Sequence, residues 1–209
     1  MKRAKVCFIV DDFCIDELDS GVWKVAKREL VCEYWSGEKA PKERHFLFDL
    51  LWSENAFYVR FEAFQHEPLV VSQKPNLKSK TIGLWERDVC EIFVTPFRFQ
   101  RYFEFEVSPS GEWVDLEIIL DSNGRLTNWD YESKMQVASF IAKDRIFMGM
   151  KIPWEAFNNK PQAGDIWFGN LFRCVGRGEN RGYLAWSATE TLKPNFHVPE
   201  KFGGFEFVR

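Results

Sequence analysis

Along most of this 209-residue chain apolar and polar positions alternate with a period of two, and the alternating stretches are cut by clusters of Gly, Pro, Asn, Asp and Ser. An extended backbone turns successive side chains to opposite faces, so this period predicts β-strands. The clearest fall at 46–52, 56–65, 89–95, 102–108, 113–120, 135–142, 145–152, 166–175, 183–186 and 204–208. Turn signals separate them, among them "SEN" (53–55), "SPSGE" (108–112), "DSNGR" (121–125), "AKD" (142–144), "KPQAGD" (160–165) and "GRGENRG" (176–182). Short helical pieces are expected only at 22–30 and, after Pro153, at 154–157. Many short strands with frequent turns indicate an all-β, antiparallel, jelly-roll-like β-sandwich with one or two helical turns. No repeat or Pro/Ser-rich linker divides residues 1–209, so a single domain is expected.

The alternation also sorts faces. Phe57, Val59, Phe61 and Ala63 oppose Tyr58, Arg60 and Glu62, and Phe103, Phe105 and Val107 oppose Glu104 and Glu106, which predicts strands with one covered and one wet face. Val89–Val94 and 166–175 are apolar on both sides, as in central strands, yet they carry Glu91, Asn170 and Arg173. A carboxylate in such a strand costs several kcal/mol unless it is paired or hydrogen-bonded. Glu91 is therefore expected either to pair with Arg173 or to accept hydrogen bonds from a hydroxylated ligand, and the two are compatible.

Composition narrows the classes. Lys and Arg number 28 against 31 Asp and Glu, and the net charge of −3 leaves no electrostatic footprint for nucleic acid or an anionic membrane. No stretch approaches the ~20 apolar residues of a membrane helix. The apolar run at 6–10 stops at Asp11 and Asp12, so no export signal is legible. Five cysteines without a close CxxC pair predict reduced, mostly buried thiols. The 21 Phe and 9 Trp exceed the needs of a core this size, so some rings are expected to face a ligand. Trp85 in "GLWERD" and Trp186 in "YLAWSAT" stand at strand ends beside polar residues. Sugar rings present C–H patches to aromatic faces and hydroxyls to charged or amide groups, a requirement that Trp85, Trp186, Glu91 and Asn170 match.

Taken in order, "LWERDVCEIFV", "YFEFEVSPSGEW", "KIPWEAF…GDIWFGNLFR" and "AWSATE…FHVPEKFGGFEF" resemble the family 9 carbohydrate-binding module and its wider superfamily, which includes sugar- and haem-binding relatives. "IDELDSGVWKVAK" and "FDLLWSENAFYVRFEAF" are similar to the family's opening strands, which extends the resemblance over nearly the whole chain. It implies a β-sandwich that binds a mono- or oligosaccharide, often a glycan reducing end, between two tryptophans. The implied residues are Trp85 and Trp186 as stacking platforms and Glu91 as the polar contact, with Asp88 stabilising the turn and Asn170 on the strand behind the site. It further implies a secreted or periplasmic setting, and it allows a structural calcium because related modules can carry one. Three positions depart from the pattern: Phe172 and Arg173 replace more polar residues, and Glu104 stands where a basic or amide residue is expected.

Other classes fit less well. Glu104 and Glu106, ~6.6 Å apart on one strand face, approach the spacing of an inverting glycosidase, but alternating glutamates also describe an ordinary wet face. His45, His66 and His197 lack ligand spacing, and "DDFCIDELD" (11–19) lacks the Gly and closing Glu of a calcium loop, so no metal or other cofactor is expected from the residues themselves. Met148 and Met150, the candidate haem ligands, fit the apolar side of a strand. An interaction domain of the same fold without sugar binding is the remaining alternative. The expectation is non-catalytic sugar binding through Trp85, Trp186 and Glu91, with Asn170 and Arg173 in support.

Overall fold

The computed structural model of the chain describes residues 1–97, 101–122 and 124–209, and among these the only helices are short 3-10 turns. Thirteen strands form in chain order: β1 Arg3–Phe8, β2 Glu29–Val31, β3 Phe46–Trp52, β4 Ala56–Phe64, β5 Val89–Thr95, β6 Arg101–Val107, β7 Trp113–Asp121, β8 Gly124–Asn128, β9 Gln136–Ile141, β10 Arg145–Pro153, β11 Ile166–Val175, β12 Gly182–Ala185 and β13 Gly203–Val208. They follow one hydrogen-bonded path, β8-β7-β6-β5-β11-β13-β1-β3-β4-β10-β9, with β12 on β11 and β2 on β3. The chain is all-β as expected, but β1 runs parallel to both β13 and β3, which joins what the sequence suggests as two sheets into one.

That sheet curls tightly. Three strand spacings of about 4.8 Å separate β13 from β4 along the sheet, yet the rings of Phe57 on β4 and Phe207 on β13 lie 6.2 Å apart. The concave side is filled by aromatic rings: Trp167 packs edge-on against Trp154 at 5.7 Å and Phe207 at 5.2 Å, and Phe157 meets Phe103 and Phe105 of β6. Most of the aromatic surplus thus goes into the core. Three of the five thiols, Cys7, Cys90 and Cys174, are buried, and none is bonded to another. Among the described residues no helix is long and apolar enough to cross a membrane.

The helix expected at 22–30 shortens to a 3-10 turn at Gly21–Val25, capped by the Ser20 hydroxyl, and Glu29–Val31 becomes β2. Tertiary pairing overrides local propensity here: Arg28 is drawn to Asp49 and Glu62, and Val31 is buried opposite Phe46. The expected wet faces are also covered. Arg60 and Glu62 lie under the N-terminal segment, where Arg60 pairs with Asp49 at 2.8 Å, donates to the Leu18 carbonyl and sits 4.7 Å over the Trp23 ring. Glu104 is 3 % and Glu106 0 % exposed, in the layer where Phe93, Tyr102, Phe196 and Phe202 form a second apolar cluster outside the main core. The "DSNGR" turn includes Asn123, which lies outside the described residues.

Candidate functional site

On the convex side of β5 and β6 a cavity of about 310 Å³ opens to solvent. Trp85 and Trp129 form part of its wall, with ring centroids 6.4 Å apart and planes inclined at 38°, while Glu91 and Glu104 reach it from the strands beneath. Arg125, Arg181, Tyr183, Phe196 and His197 complete much of the lining.

Each side chain is held by a local device. Gly83 takes a left-handed conformation (φ 83°) that starts the 3-10 turn Leu84–Glu86. Leu84 is fully buried and anchors this turn, leaving Trp85 half-buried at the pocket edge. Arg181 donates to the carbonyls of Trp85, Arg87 and Gly176, and the Asp88 carboxylate accepts from the backbone of Val70 and Gly176, so two loops are tied behind the indole. Trp129 follows β8 directly, and Lys80 fixes this segment by donating to the Trp129, Tyr131 and Asp115 carbonyls. His197 shares a 2.8 Å hydrogen bond between Nδ1 and the Tyr102 hydroxyl.

The floor is acidic for a reason of register. Glu91 stands directly opposite Glu106 in the β5–β6 ladder, and Glu104, two residues along β6, shares the face. Carboxylate oxygens from all three lie within 4.8 Å of one another. Burial, with the charge of Glu104 adding, pushes the Glu91 carboxyl up to about 8, against a bond from the Cys174 thiol and the charge of Arg181. Burial likewise pushes Glu104 up to about 7, and burial with the charges of Glu91 and Glu104 drives Glu106 well above the usual range.

Of the residues expected to form the site, Trp85 and Glu91 line this pocket. Trp186 does not: it is 2 % exposed, stacked on Phe205 at 5.6 Å and edge-on to Phe48, and its ring occupies the space that a Cβ at Gly203 would fill. The two-tryptophan clamp of Trp85 and Trp186 is therefore corrected, because Trp186 is a core residue on the concave side. Asn170 is fully buried, and its amide is used up by the backbone of Ser187 and Leu171. Arg173 is paired in register with Cys90, so it points to the opposite face from Glu91, and it donates to the carbonyls of Arg44, His45 and Phe64 and to Gln65. The Glu91–Arg173 pair does not form. The wall residue that sequence reasoning passed over is Trp129, although "TNWDYE" shows the same indole among polar residues as "GLWERD".

In the acidic stretch 11–19, the Asp12 carboxylate takes hydrogen bonds from Ser53, Asn55 and Tyr58. Among the described residues only Glu91, Glu104 and Glu106 bring three metal-ligating side chains together.

A curled all-β sheet that carries an aromatic-walled, open, acid-floored pocket on its convex face is a fold shared with solved carbohydrate-binding modules of family 9. The chain is similar in structure to a candidate carbohydrate-binding protein from Bacteroides uniformis, with a TM-score of 0.78, 18 % identity and 99 % of each chain covered. It is also similar to a carbohydrate-binding module of family 9 from Caldicellulosiruptor kristjanssonii, solved with cellotriose (TM-score 0.66, 17 % identity, 99 % of this chain and 94 % of that one) and with glucose (TM-score 0.66, 17 % identity, 100 % and 97 %). At these identities the likeness is one of fold. No protein-family model and no curated protein sequence matches the chain.

Proposed function

We propose that this chain binds a mono- or oligosaccharide, without catalysis, in the pocket that Trp85 and Trp129 wall. The observation that carries the reading is the pairing of two indoles 6.4 Å apart with buried carboxyl groups beneath them. A pyranose ring offers C–H surface to the indoles and hydroxyls to Glu91 and Glu104. The structural neighbours that hold cellotriose and glucose support a sugar as the ligand class. An inverting hydrolytic role for Glu104 and Glu106 is disfavoured: carboxyl oxygens within 4.8 Å leave no room for the water of an inverting pair, whose carboxyls stand about 6.5–9.5 Å apart. Glu106 also lies below the pocket lining.

Titration calorimetry with glucose, xylose, cellobiose and cellotriose tests the reading. Saturable heat with at least one sugar, lost in Trp85→Ala, is expected. No heat with any of them at millimolar concentration would refute sugar binding and leave an interaction domain of this fold.

A further inference from the structure

The pocket floor gathers more carboxyl groups than a sugar pocket requires. Glu91 and Glu106, directly opposite on neighbouring strands, would repel each other if both were ionised with nothing to balance them, and Glu104 adds a third carboxyl on the same face. All three are at least nine-tenths buried. Beyond the bond that Glu104 and Glu106 share with each other, Glu104 Oε2 and both carboxyl oxygens of Glu106 have no hydrogen-bond partner among the described residues, although Glu104 Oε2 lies 3.9 Å from His197 Nδ1. Buried polar groups with so few partners are rare in folded proteins, and a bound ion is one of the few arrangements that satisfies them. The guanidinium of Arg181, whose charge acts on Glu91, is engaged with the carbonyls of Trp85, Arg87 and Gly176, and Arg125 acts on Glu104 from the exposed rim.

The geometry points to a hard divalent cation, of the Ca²⁺ or Mn²⁺ class, bound by the carboxylates of Glu91, Glu104 and Glu106 at the floor of the pocket. Oxygen ligands on one Ca²⁺ at about 2.3–2.6 Å can stand up to ~5 Å apart across the ion, and the three carboxylates lie within 4.8 Å of one another. An all-carboxylate donor set favours Ca²⁺, Mn²⁺ or Mg²⁺ over softer metals. The cavity provides the entry path, since Glu91 and Glu104 line it. The positions left open on the ion face the ligand space, so sugar hydroxyls complete its shell; this last step rests on the sugar reading, whereas the cation site does not.

The test begins with the whole chain, stripped with chelator and titrated with Ca²⁺, Mn²⁺ and Mg²⁺ in the absence of sugar, by calorimetry and by thermal melting. One ion per chain with a Kd of about 10⁻⁶–10⁻³ M and a raised Tm is expected for at least one of the three. Glu106→Gln, isosteric and outside the pocket lining, should weaken binding at least ~10-fold, as should Glu104→Gln. Near-ultraviolet circular dichroism checks that each variant keeps its packing. No saturable heat and no Tm rise with any ion up to about 10 mM overturns the site, as does binding at parental strength in both variants. Adding cellotriose with and without the ion then tests the bridging step, where an ion-dependent gain in affinity is expected and equal affinity overturns it. A chain that takes the ion but no sugar refutes the sugar reading and leaves the cation site standing.

Discussion

Replacing Trp129 by alanine separates the pocket wall from the core. The ring keeps 50 % of its surface exposed and rests against Trp85 at 6.4 Å. A tryptophan side chain has roughly 250 Å² to bury, so about 125 Å² is open and a sugar ring lying on one face would cover about 60 Å² of it. At about 25 cal/mol per Å² that contact contributes ~1.5 kcal/mol, and favourable stacking geometry adds ~0.5–1.5 kcal/mol. Trp129→Ala should therefore lose about 2–3 kcal/mol of binding, a Kd weaker by ~30- to 150-fold. The assay is titration calorimetry with the tightest-binding sugar, beside a thermal melt. As an exposed position with no core packing, it should change stability by no more than ~0.5 kcal/mol. Parental affinity within about twofold, with an unchanged melt, would show that this ring is no wall of the binding site and that the pocket is misassigned.

Trp186→Ala should behave in the opposite way: it empties the space between Phe205, Phe48 and Gly203 and should cost ~3–5 kcal/mol of stability, read by urea unfolding, while the folded fraction binds sugar at parental strength. Asp49→Asn removes the charge that Arg60 and Arg28 share beneath the N-terminal segment, and a loss of ~3–5 kcal/mol is expected; a loss under ~1 kcal/mol would mean that the pair is solvated. Burial, with the charge of Arg125 adding, takes the His197 imidazole from 6.5 down to about 3. The unfolded chain then gains a proton that the folded chain refuses, so stability from this group is whole above about pH 6.5 and falls as the pH drops towards 3. Melting curves of His197→Gln between pH 7 and 4 should fall less steeply than the parent's, by up to ~3 kcal/mol at pH 4, and parallel curves would refute the buried neutral histidine.

Alternation and turn residues alone located β3, β5 and β11 with their observed bounds and seven more strands to within one or two residues, because each lies where a period of two meets a Gly, Pro, Asn or Asp boundary. The spacing of Trp85 and Glu91 is also a property of the chain: a tight turn followed by a strand places the indole at the lip and the carboxyl on the face behind it. Which faces are covered is not. Period two says that Glu104, Glu106, Arg60 and Glu62 share sides, but it is the N-terminal segment with Leu18 and Trp23, and the C-terminal segment with Phe196 and Phe202, that bury those sides.

The fate of the two strand-end indoles was decided in the same way. Trp85 and Trp186 look alike as sequence, an indole beside polar residues at a strand end, and nothing local separates them from Trp129. Trp186 turns inward because Gly203, on a strand 17 residues further along, has no side chain to hold it out. Trp129 turns towards Trp85 because Lys80 and β8 set the course of its backbone. By itself the sequence determined an all-β chain with an aromatic and acidic strand mouth, since period, turns and residue types are local quantities. The curl of the sheet, the pairing of Glu91 with Glu106 and the choice of indoles at the pocket came only from tertiary structure, because each depends on which distant backbone lies alongside.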